Sequence, residues 1–188
     1  MSDRHGEPEP PLRLATSEDR DPIDTLMKAS TRALFPAFYD AKQTASSVVH
    51  IAHVDPMLID DGTYFVLEAG GEIVACGGWS RRDKLFSGSA EQEGRARLLD
   101  PATEPARVRA MFVRDDWTRR GLGTRILVAC ESAARDEGFT KLALMATLPG
   151  FPLYSRYGFV EVDRGPITLP DGVLLESVAM EKAIEPRG

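Results

Sequence analysis

Apolar and polar residues follow two different periods along the chain, one typical of helices and one typical of strands. Residues 16–34 have the helical period, and Pro22 fits the first turn of that helix because a proline there loses no hydrogen bond. Residues 40–53 and 121–137 also place apolar side chains on one helical face, and Gly138 ends the second of these segments. The pattern therefore predicts three main helices.

Shorter apolar runs lie between and after these helices, with the length and the flanking turn residues of strands. Strands are predicted at 12–15, 63–69, 72–80, 106–113, 141–146, 159–163 and 173–182. Gly70-Gly71 joins the second and third of them as a tight hairpin. A short helix is predicted at 151–157. Residues 81–105 are charged and irregular, and we expect a short helix near 91–99.

This order of elements predicts an α/β (α+β) fold, in which a mixed sheet is flanked by helices. A chain of 188 residues is long enough for one domain with a sizeable core. We expect that domain to cover 11–188 and to follow a flexible, proline-rich tail at 1–10. The sequence shows no internal repeat that would indicate a second domain.

Composition narrows the classes of partner. The formal net charge of −6 argues against general binding to nucleic acid or to a membrane surface. The chain has no run of about twenty apolar residues, so no membrane span is expected, and its first residues lack the apolar core of a signal peptide. Cys76 and Cys130 are predicted to be small core residues. A cytoplasmic, reduced protein fits these features best.

The stretch Val113-Arg-Asp-Asp-Trp-Thr-Arg-Arg-Gly-Leu-Gly-Thr124 joins a predicted strand to a predicted helix through a polar loop. The first N–H groups of a helix have no partner inside it, and the helix dipole places partial positive charge there. Glycines allow an anion to approach the backbone, and the guanidinium groups of Arg119 and Arg120 suit phosphate oxygens. The stretch therefore predicts a ligand that carries phosphate.

Two familiar phosphate motifs do not match this loop. A Walker loop requires Gly-x-x-x-x-Gly-Lys-Ser/Thr, which the chain lacks. A dinucleotide fingerprint requires a third glycine three residues after the second, but position 126 is isoleucine, and no acidic residue follows near the end of the next strand. A nucleotide-binding protein that uses the loop in another way stays an open alternative.

The loop does resemble the acyl-CoA loop of the GNAT superfamily of N-acetyltransferases, whose usual form is Arg/Gln-x-x-Gly-x-Gly/Ala directly after a strand. The matching residues are Thr118-Arg-Arg-Gly121-Leu-Gly123, in which Thr118 replaces the usual first residue. About thirty residues later, Tyr154 lies four residues before Gly158-Phe159 on a predicted short helix, which resembles the second signature of that family. The resemblance covers roughly residues 12–184.

This resemblance implies a mixed, mostly antiparallel central sheet of about seven strands, and acetyl-CoA as the cosubstrate with no metal. It also implies that the strands at 106–113 and 141–146 splay apart and admit the pantetheine arm between them. The residues that it assigns to cofactor binding are Met111, Phe112, Val113, Arg119, Arg120, Gly121, Leu122, Gly123 and Thr124.

The implied reaction is direct attack of a primary amine on the thioester in a ternary complex, with a small molecule or a protein as the acceptor. Tyr154 matches the position that gives a proton to the departing thiolate, and a phenol with a pKa near about 10 can donate at neutral pH. Cys130 is expected to lie inside a helix, where it would not be acylated. Tyr157 is expected to serve packing. Homodimers are common in the family, so a homodimer is an open possibility.

The sequence leaves the general base open. Glu176, His50 and His53 are candidates, and the substrate could also lose its proton in the pocket without a base. The two histidines lie about one helical turn apart, but no third ligand at a suitable spacing indicates a metal. A non-catalytic acyl-CoA-binding regulatory module, which keeps the loop but has lost turnover, is the main alternative to an enzyme.

The sequence also leaves undetermined which residues line the acceptor pocket. In the family that the chain resembles, the first two helices and their connection usually line it. Residues 34–39 and Trp79 would then either line the pocket or simply close the core. The basic residues that follow Trp79 would either attract an acidic substrate or form a solvated surface. They are Arg81, Arg82 and Lys84.

Overall fold

The computed structural model describes residues 8–84 and 96–187. The helices are α1 (Arg20–Leu34), α2 (Ala41–His50), α3 (Pro56–Asp60), α4 (Leu122–Asp136) and α5 (Phe151–Tyr157). The strands are β1 (Leu12–Leu14), β2 (Tyr64–Ala69), β3 (Glu72–Ser80), β4 (Ala106–Val113), β5 (Lys141–Thr147), β6 (Val160–Thr168) and β7 (Leu174–Ala183). This order agrees with the one predicted from apolar periodicity, with α3 added.

The strands form one sheet in the order β1-β2-β3-β4-β5-β7-β6. Every neighbouring pair is antiparallel except β4 and β5, which are parallel. A parallel pair needs a long crossover, and α4 supplies it by returning the chain to the same end of the sheet. The predicted fold, a mixed and mostly antiparallel sheet of seven strands flanked by helices, is confirmed.

Different helices cover the two faces of the sheet. On one face, Ile126 of α4 packs in a buried apolar cluster with Val108 of β4 and with Cys130. On the other face, Met27 of α1 packs in a second cluster that includes Cys76. Full burial of an isoleucine or methionine side chain contributes about 1.5–3 kcal/mol, so these clusters hold the helices on the sheet. Both cysteines are core residues, as predicted.

The predicted second helix is too long at its C-terminal end. α2 ends at His50 and not at residue 53, and the chain then turns into α3, which the sequence analysis missed. Asp55 caps α3 by accepting a 3.0 Å hydrogen bond from the N–H of Met57, and Pro56 takes the first helical position. A helix of five residues is too short to show a helical period.

The predicted strand at 159–163 is too short. β6 extends to Thr168 and includes Gly165 and Pro166, two residue types that normally indicate the end of a strand. β6 lies at the edge of the sheet with β7 as its neighbour. An edge strand tolerates proline because one of its sides needs no ladder hydrogen bond.

Two other predictions fall partly outside the described ranges. Of the tail at 1–10, only residues 8–10 are described, and Pro10 there is buried and accepts a 2.8 Å hydrogen bond from Arg125. Of the short helix near 91–99, only 96–99 are described. They are not helical, and Leu98 forms a β-bridge with Arg82.

In the same described ranges, no helix has the length and the apolar character needed to cross a membrane.

Candidate functional site

An opening in the sheet lies between β4 and β5. The two strands pair only at Ala106 with Leu142 and at Arg107 with Ala143. Beyond these positions, within the described chain, β4 has a strand partner only on the side of β3. A cavity of about 510 Å³ runs through this region and is lined by residues of α1, β4, α4, β5 and α5. Backbone groups along such a gap need other partners, which a ligand can supply.

β4 carries a bulge where it borders the cavity. Its register with β3 shifts opposite Gly77, and Ala110 has a φ of 51°, a left-handed conformation that is rare for a residue with a Cβ. The hydroxyl of the buried Tyr64 donates a 2.6 Å hydrogen bond to the carbonyl oxygen of Ala110. Gly77 leaves room for the bulge, because a Cβ there would lie 2.6 Å from the sulfur of Met111.

The loop before α4 presents backbone donors to the cavity. Arg119 and Gly121 have φ values of 62° and 77°, which bend the chain into the start of the helix. The first hydrogen bond inside α4 runs from the N–H of Arg125 to the carbonyl of Gly121 at 3.1 Å. The N–H groups of residues 122–124 therefore have no partner within the helix. A Cβ at Gly121 would meet no atom within 4 Å, so the space beside these donors is open.

Eight of the nine residues predicted to bind the cofactor line this one cavity. They are Met111, Phe112, Val113, Arg119, Gly121, Leu122, Gly123 and Thr124. The ninth, Arg120, places its guanidinium 4.4 Å from the centre of the Trp117 ring and donates to the carbonyl of Asp116. Trp117 lines the cavity, whereas Arg120 does not. A phosphate contact by Arg120 stays a prediction.

Tyr154, the predicted proton donor, lines the same cavity from α5. Its ring meets Phe159 edge-on, with ring centroids 5.9 Å apart. Gly150 allows this placement, because a Cβ there would lie 3.0 Å from Cε2 of Tyr154. Burial raises the pKa of Tyr154 above the ordinary value of a phenol. The hydroxyl is therefore neutral at physiological pH, as a proton donor must be before the reaction.

Some residues at the connection from α1 to α2 line the cavity, and others pack in the core. Leu34 and Phe35 line the cavity. The hydroxyl of Tyr39 donates to the carbonyl of Glu176 at 2.7 Å and accepts from the N–H of Leu148 at 2.9 Å. Burial raises the pKa of Tyr39 to about 12, which keeps the hydroxyl able to donate. Tyr39 thus ties the end of β5 to β7 beside the cavity.

Trp79 and the basic residues after it lie away from the cavity lining. Trp79 is buried in the core, with its ring centroid 5.9 Å from that of Phe139, so the core alternative holds for this residue. The basic side chains form ion pairs and do not line the cavity. The pairs are Arg81 with Glu137, Arg82 with Asp61, and Lys84 with Asp55.

The three candidates for the general base also lie outside the cavity lining. Neither Glu176 nor either histidine lines the cavity, and its described lining contains no aspartate, glutamate or histidine. His50 places Nε2 3.5 Å from a carboxylate oxygen of Asp171. His53 is partly buried, and burial lowers its pKa. The negative charges of nearby carboxylates such as Asp55 act in the opposite direction but are outweighed. Across the described residues, no three His, Cys, Asp or Glu side chains are grouped as metal ligands would be.

Sequence reasoning missed three side chains at or beside the cavity. Tyr64 supports the bulge, and Ser30 of α1 donates a 2.8 Å hydrogen bond to the carbonyl of Val113. Arg109 of β4 lines the cavity although it is only 3% exposed. A signal for Arg109 was present, because an arginine in a central strand is unusual. Serine on a helix and tyrosine on a strand are common, and they gave no signal.

One family model and several solved structures are similar to this chain. Residues 24–159 match the model described as the acetyltransferase (GNAT) family. A GCN5-related N-acetyltransferase from Rhodopseudomonas palustris, also described as a class-II aminotransferase, is 19% identical with a TM-score of 0.71 over 95% of this chain and 98% of that one. The PaiA N-acetyltransferase from Thermoplasma acidophilum, in complex with coenzyme A, is 12% identical with a TM-score of 0.64 over 92% and 98%. The putative acetyltransferase YncA from Salmonella typhimurium, with acetyl-CoA, is 14% identical with a TM-score of 0.62 over 96% and 97%.

Proposed function

This chain belongs to the acetyltransferase (GNAT) family, and from that premise we propose that it transfers an acetyl group from acetyl-CoA to a primary amine by direct attack in a ternary complex. One observation carries the proposal. A single cavity joins the start of α4, the gap between β4 and β5, and the side chain of Tyr154. Acetyl-CoA lying along this cavity would have its diphosphate at the helix and its acetyl group within the sheet.

The start of α4 suits a diphosphate. The N–H groups of residues 122–124 point out of the helix at the positive end of its dipole, and Arg119 adds a full positive charge to the lining. Gly121 leaves the approach open. Gly123 also allows close packing between α4 and α5, because a Cβ there would lie 2.7 Å from Cδ2 of Leu153 and that side chain would have to move.

The open side of β4 suits the pantetheine arm, whose amide groups need hydrogen-bond partners. Beyond Arg107, the described part of β4 has no strand partner on the side of β5. The carbonyl of Val113 already accepts a hydrogen bond from Ser30, so an amide of the arm would share or replace that bond. Met111 and Phe112 line the same edge of the cavity.

Tyr154 is assigned the proton transfer to the leaving group. In the proposed step, the lone pair of the amine nitrogen attacks the thioester carbonyl carbon and the C–S bond breaks. The sulfur takes the phenolic proton of Tyr154, and the proton lost by the amine returns through solvent water to the phenol. Since the described lining has no carboxylate or imidazole, water is the acceptor of the amine proton in this scheme.

The cysteines support direct transfer over an acyl-enzyme. Cys76 and Cys130 are fully buried, and neither lines the cavity. Burial raises the pKa of Cys76 to about 12 and also raises that of Cys130. The thiolate is the reactive form of cysteine, so neither residue is suited to accept an acetyl group from a thioester in the cavity.

Calorimetry and a turnover assay test this proposal and its main alternatives. We expect acetyl-CoA and CoA to bind and ATP to bind weakly or not at all. With acetyl-CoA present, a panel of primary amines is then screened for release of the CoA thiol. Release that depends on an amine supports the transferase. Binding of acetyl-CoA without turnover on any amine would favour the regulatory module, and binding of ATP alone would favour a nucleotide-binding protein.

A further inference from the structure

Apolar side chains from distant parts of the chain meet at one wall of the cavity. Phe35 and Leu175 are buried in a small apolar cluster, and Ile51 and Ile167 pack against it. Phe35, Ile51 and Ile167 also line the cavity, together with Leu34 at the end of α1. We call these four lining residues the apolar wall. Because Ile51 and Ile167 are only partly buried, they keep apolar surface that a ligand in the cavity can cover.

The apolar wall lies on the face of the sheet opposite to α4. Val178 of β7 packs in the cluster that contains α4 residues, and side chains alternate along a strand. Leu175 and Ser177 therefore point to the other face. Ile167 of β6 pairs with Leu175 and shares that face. The start of α4 and the apolar wall thus lie on opposite sides of the sheet, and one cavity connects them.

Hydroxyl groups are the uncharged polar side chains on this side of the cavity. They belong to Ser30, Thr147 and Ser177. Ser30 donates a 2.8 Å hydrogen bond to the carbonyl of Val113, and Ser177 donates a 3.1 Å hydrogen bond to the carbonyl of Leu175. A hydroxyl that has donated its proton can still accept a hydrogen bond. This side can therefore hold an amino group, but these side chains offer it no charge.

Charged side chains are placed elsewhere. Arg109 lines the cavity, but its side chain is 2% exposed and its Nη1 lies 3.5 Å from Oδ2 of Asp55, which does not line the cavity. The other charged side chains of the described lining are Arg119, in the loop before α4, and Arg156 of α5. A second ammonium or a carboxylate buried against the apolar wall would lack a partner of opposite charge there, which is costly.

We propose that the acceptor is a primary monoamine with an apolar body, and that the apolar wall binds this body. The inference rests on the proposed acetyl transfer and names its substrate class, which includes alkylamines and amines with an aromatic ring. With the diphosphate at α4 and the thioester in the sheet opening, the apolar wall is the lining left for the acceptor. Apolar surroundings also disfavour the ammonium form, which helps the amine to lose its proton where the described lining has no carboxylate or imidazole.

A homologous series of amines tests the apolar wall. Thiol release from acetyl-CoA is measured with n-alkylamines from ethylamine to hexylamine. Each added methylene group that is buried should raise kcat/KM by about fourfold, until the wall is covered. Thiol release with no dependence on chain length would overturn the inference but leave acetyl transfer intact. A lack of release with every amine, including polar ones, would contradict acetyl transfer itself, and the substrate class would fall with it.

Matched pairs of similar shape test the exclusion of a second charge. Putrescine is compared with n-pentylamine, in which a methyl group replaces the second ammonium, and β-alanine is compared with isopentylamine, in which two methyl groups replace the carboxylate oxygens. We expect the apolar member of each pair to have a kcat/KM at least about 10-fold higher. Equal values or a reversed preference in either pair would overturn the inference.

Variants of Ile167 test where the body of the amine binds. Ile167→Ser should lower the gain per methylene group. Ile167→Glu places a carboxylate in the wall and should raise the ratio of putrescine to n-pentylamine kcat/KM by at least about 10-fold. Both variants should keep the wild-type Kd for acetyl-CoA. Val162→Ser and Val162→Glu are the matched controls, because Val162 lies on the same strand, is 54% exposed and does not line the cavity.

The controls should match wild type in both measurements. A folded Ile167→Glu protein that binds acetyl-CoA normally but keeps the wild-type ratio would overturn the inference, as would an equal change in Val162→Glu. If Ile167→Glu does not fold, Ile167→Ser decides, because an unchanged gain per methylene group contradicts binding at the apolar wall.

Discussion

The hydroxyl of Tyr64 donates a 2.6 Å hydrogen bond to the carbonyl oxygen of Ala110, whose φ of 51° lies in the left-handed region. Tyr64 is fully buried, and burial raises its pKa well above the ordinary value, so the hydroxyl keeps its proton. A left-handed alanine costs about 1–2 kcal/mol. The hydrogen bond helps to hold this conformation beside two residues of the cavity wall, Arg109 and Met111.

Tyr64→Phe should therefore weaken both the fold and the cavity wall. We expect the free energy of unfolding to fall by about 1–3 kcal/mol, because a buried carbonyl loses its donor, and kcat/KM for acetyl transfer to fall as well. Chemical denaturation and thiol release measure the two effects. Ala110→Gly is the control, since glycine adopts this φ without strain and should keep stability within about 1 kcal/mol of wild type. Full stability in Tyr64→Phe would show that the hydrogen bond does not support the bulge.

Tyr154→Phe should reduce turnover without changing cofactor affinity. The loss of a positioned proton donor is expected to lower kcat about 100-fold, while calorimetry should give the wild-type Kd for acetyl-CoA. Tyr157→Phe is the matched control on the same helix. It loses a 2.8 Å hydrogen bond to the carboxylate oxygen Oε2 of Glu131, worth about 1.5–3 kcal/mol of stability, and should keep normal kcat. A normal kcat in Tyr154→Phe would remove the proposed donor.

Gly121→Val should block the approach of the diphosphate to α4. Gly62→Val is a suitable control, because Gly62 has a φ of +68° against +77° for Gly121, and a Cβ at either position would meet no atom within 4 Å. Both variants should lose about 1–2 kcal/mol or more from backbone strain. Only Gly121→Val should lose CoA binding in calorimetry. If both folded variants bind CoA equally well, the diphosphate does not lie beside Gly121.

Arg119→Ala should weaken binding of CoA far more than binding of acetyl-pantetheine, which lacks the diphosphate. A lost charged hydrogen bond corresponds to about a 10- to 100-fold increase in the Kd for CoA. Arg120→Ala removes a guanidinium that lies over Trp117 and is the natural comparison. A larger loss in Arg120→Ala than in Arg119→Ala would assign the phosphate contact to Arg120. An equal loss for both ligands would show that the affected guanidinium does not meet phosphate.

Stability should decrease in mildly acidic solution because of His53. Burial lowers the pKa of His53 in the folded protein, so below about pH 6.5 the unfolded chain binds a proton more readily than the folded one. The stability that neutral His53 contributes is therefore present above that pH and is lost as the pH falls. The free energy of unfolding, measured from pH 7 to pH 5, should decrease less in His53→Gln than in wild type. Identical slopes in the two proteins would contradict this effect.

Local patterns were enough to predict most of the fold. Apolar periodicity located every strand of the sheet, and the loop at 118–123 together with Tyr154 indicated the family. The errors lie where local signals are weak or misleading. α3 is too short to show a period. Pro166 is a residue type that normally ends a strand, but its position at the sheet edge permits it within β6.

The wall of the cavity at the bulge of β4 could not be predicted in the same way, because it depends on contacts between distant parts of the chain. Arg109 meets Asp55 from a position 54 residues away, and Tyr64 meets Ala110 across 46 residues. Neither pairing has a spacing rule. The bulge that shapes this wall of the cavity follows from strand register, which the sequence of β4 alone does not determine.

A structure of the protein with acetyl-CoA bound tests the central claim most directly. We expect diphosphate oxygens within about 3 Å of the backbone nitrogens of residues 122–124, the pantetheine arm between β4 and β5, and the thioester sulfur within reach of the Tyr154 hydroxyl. A diphosphate held elsewhere, or an arm that does not enter the sheet opening, would contradict the account.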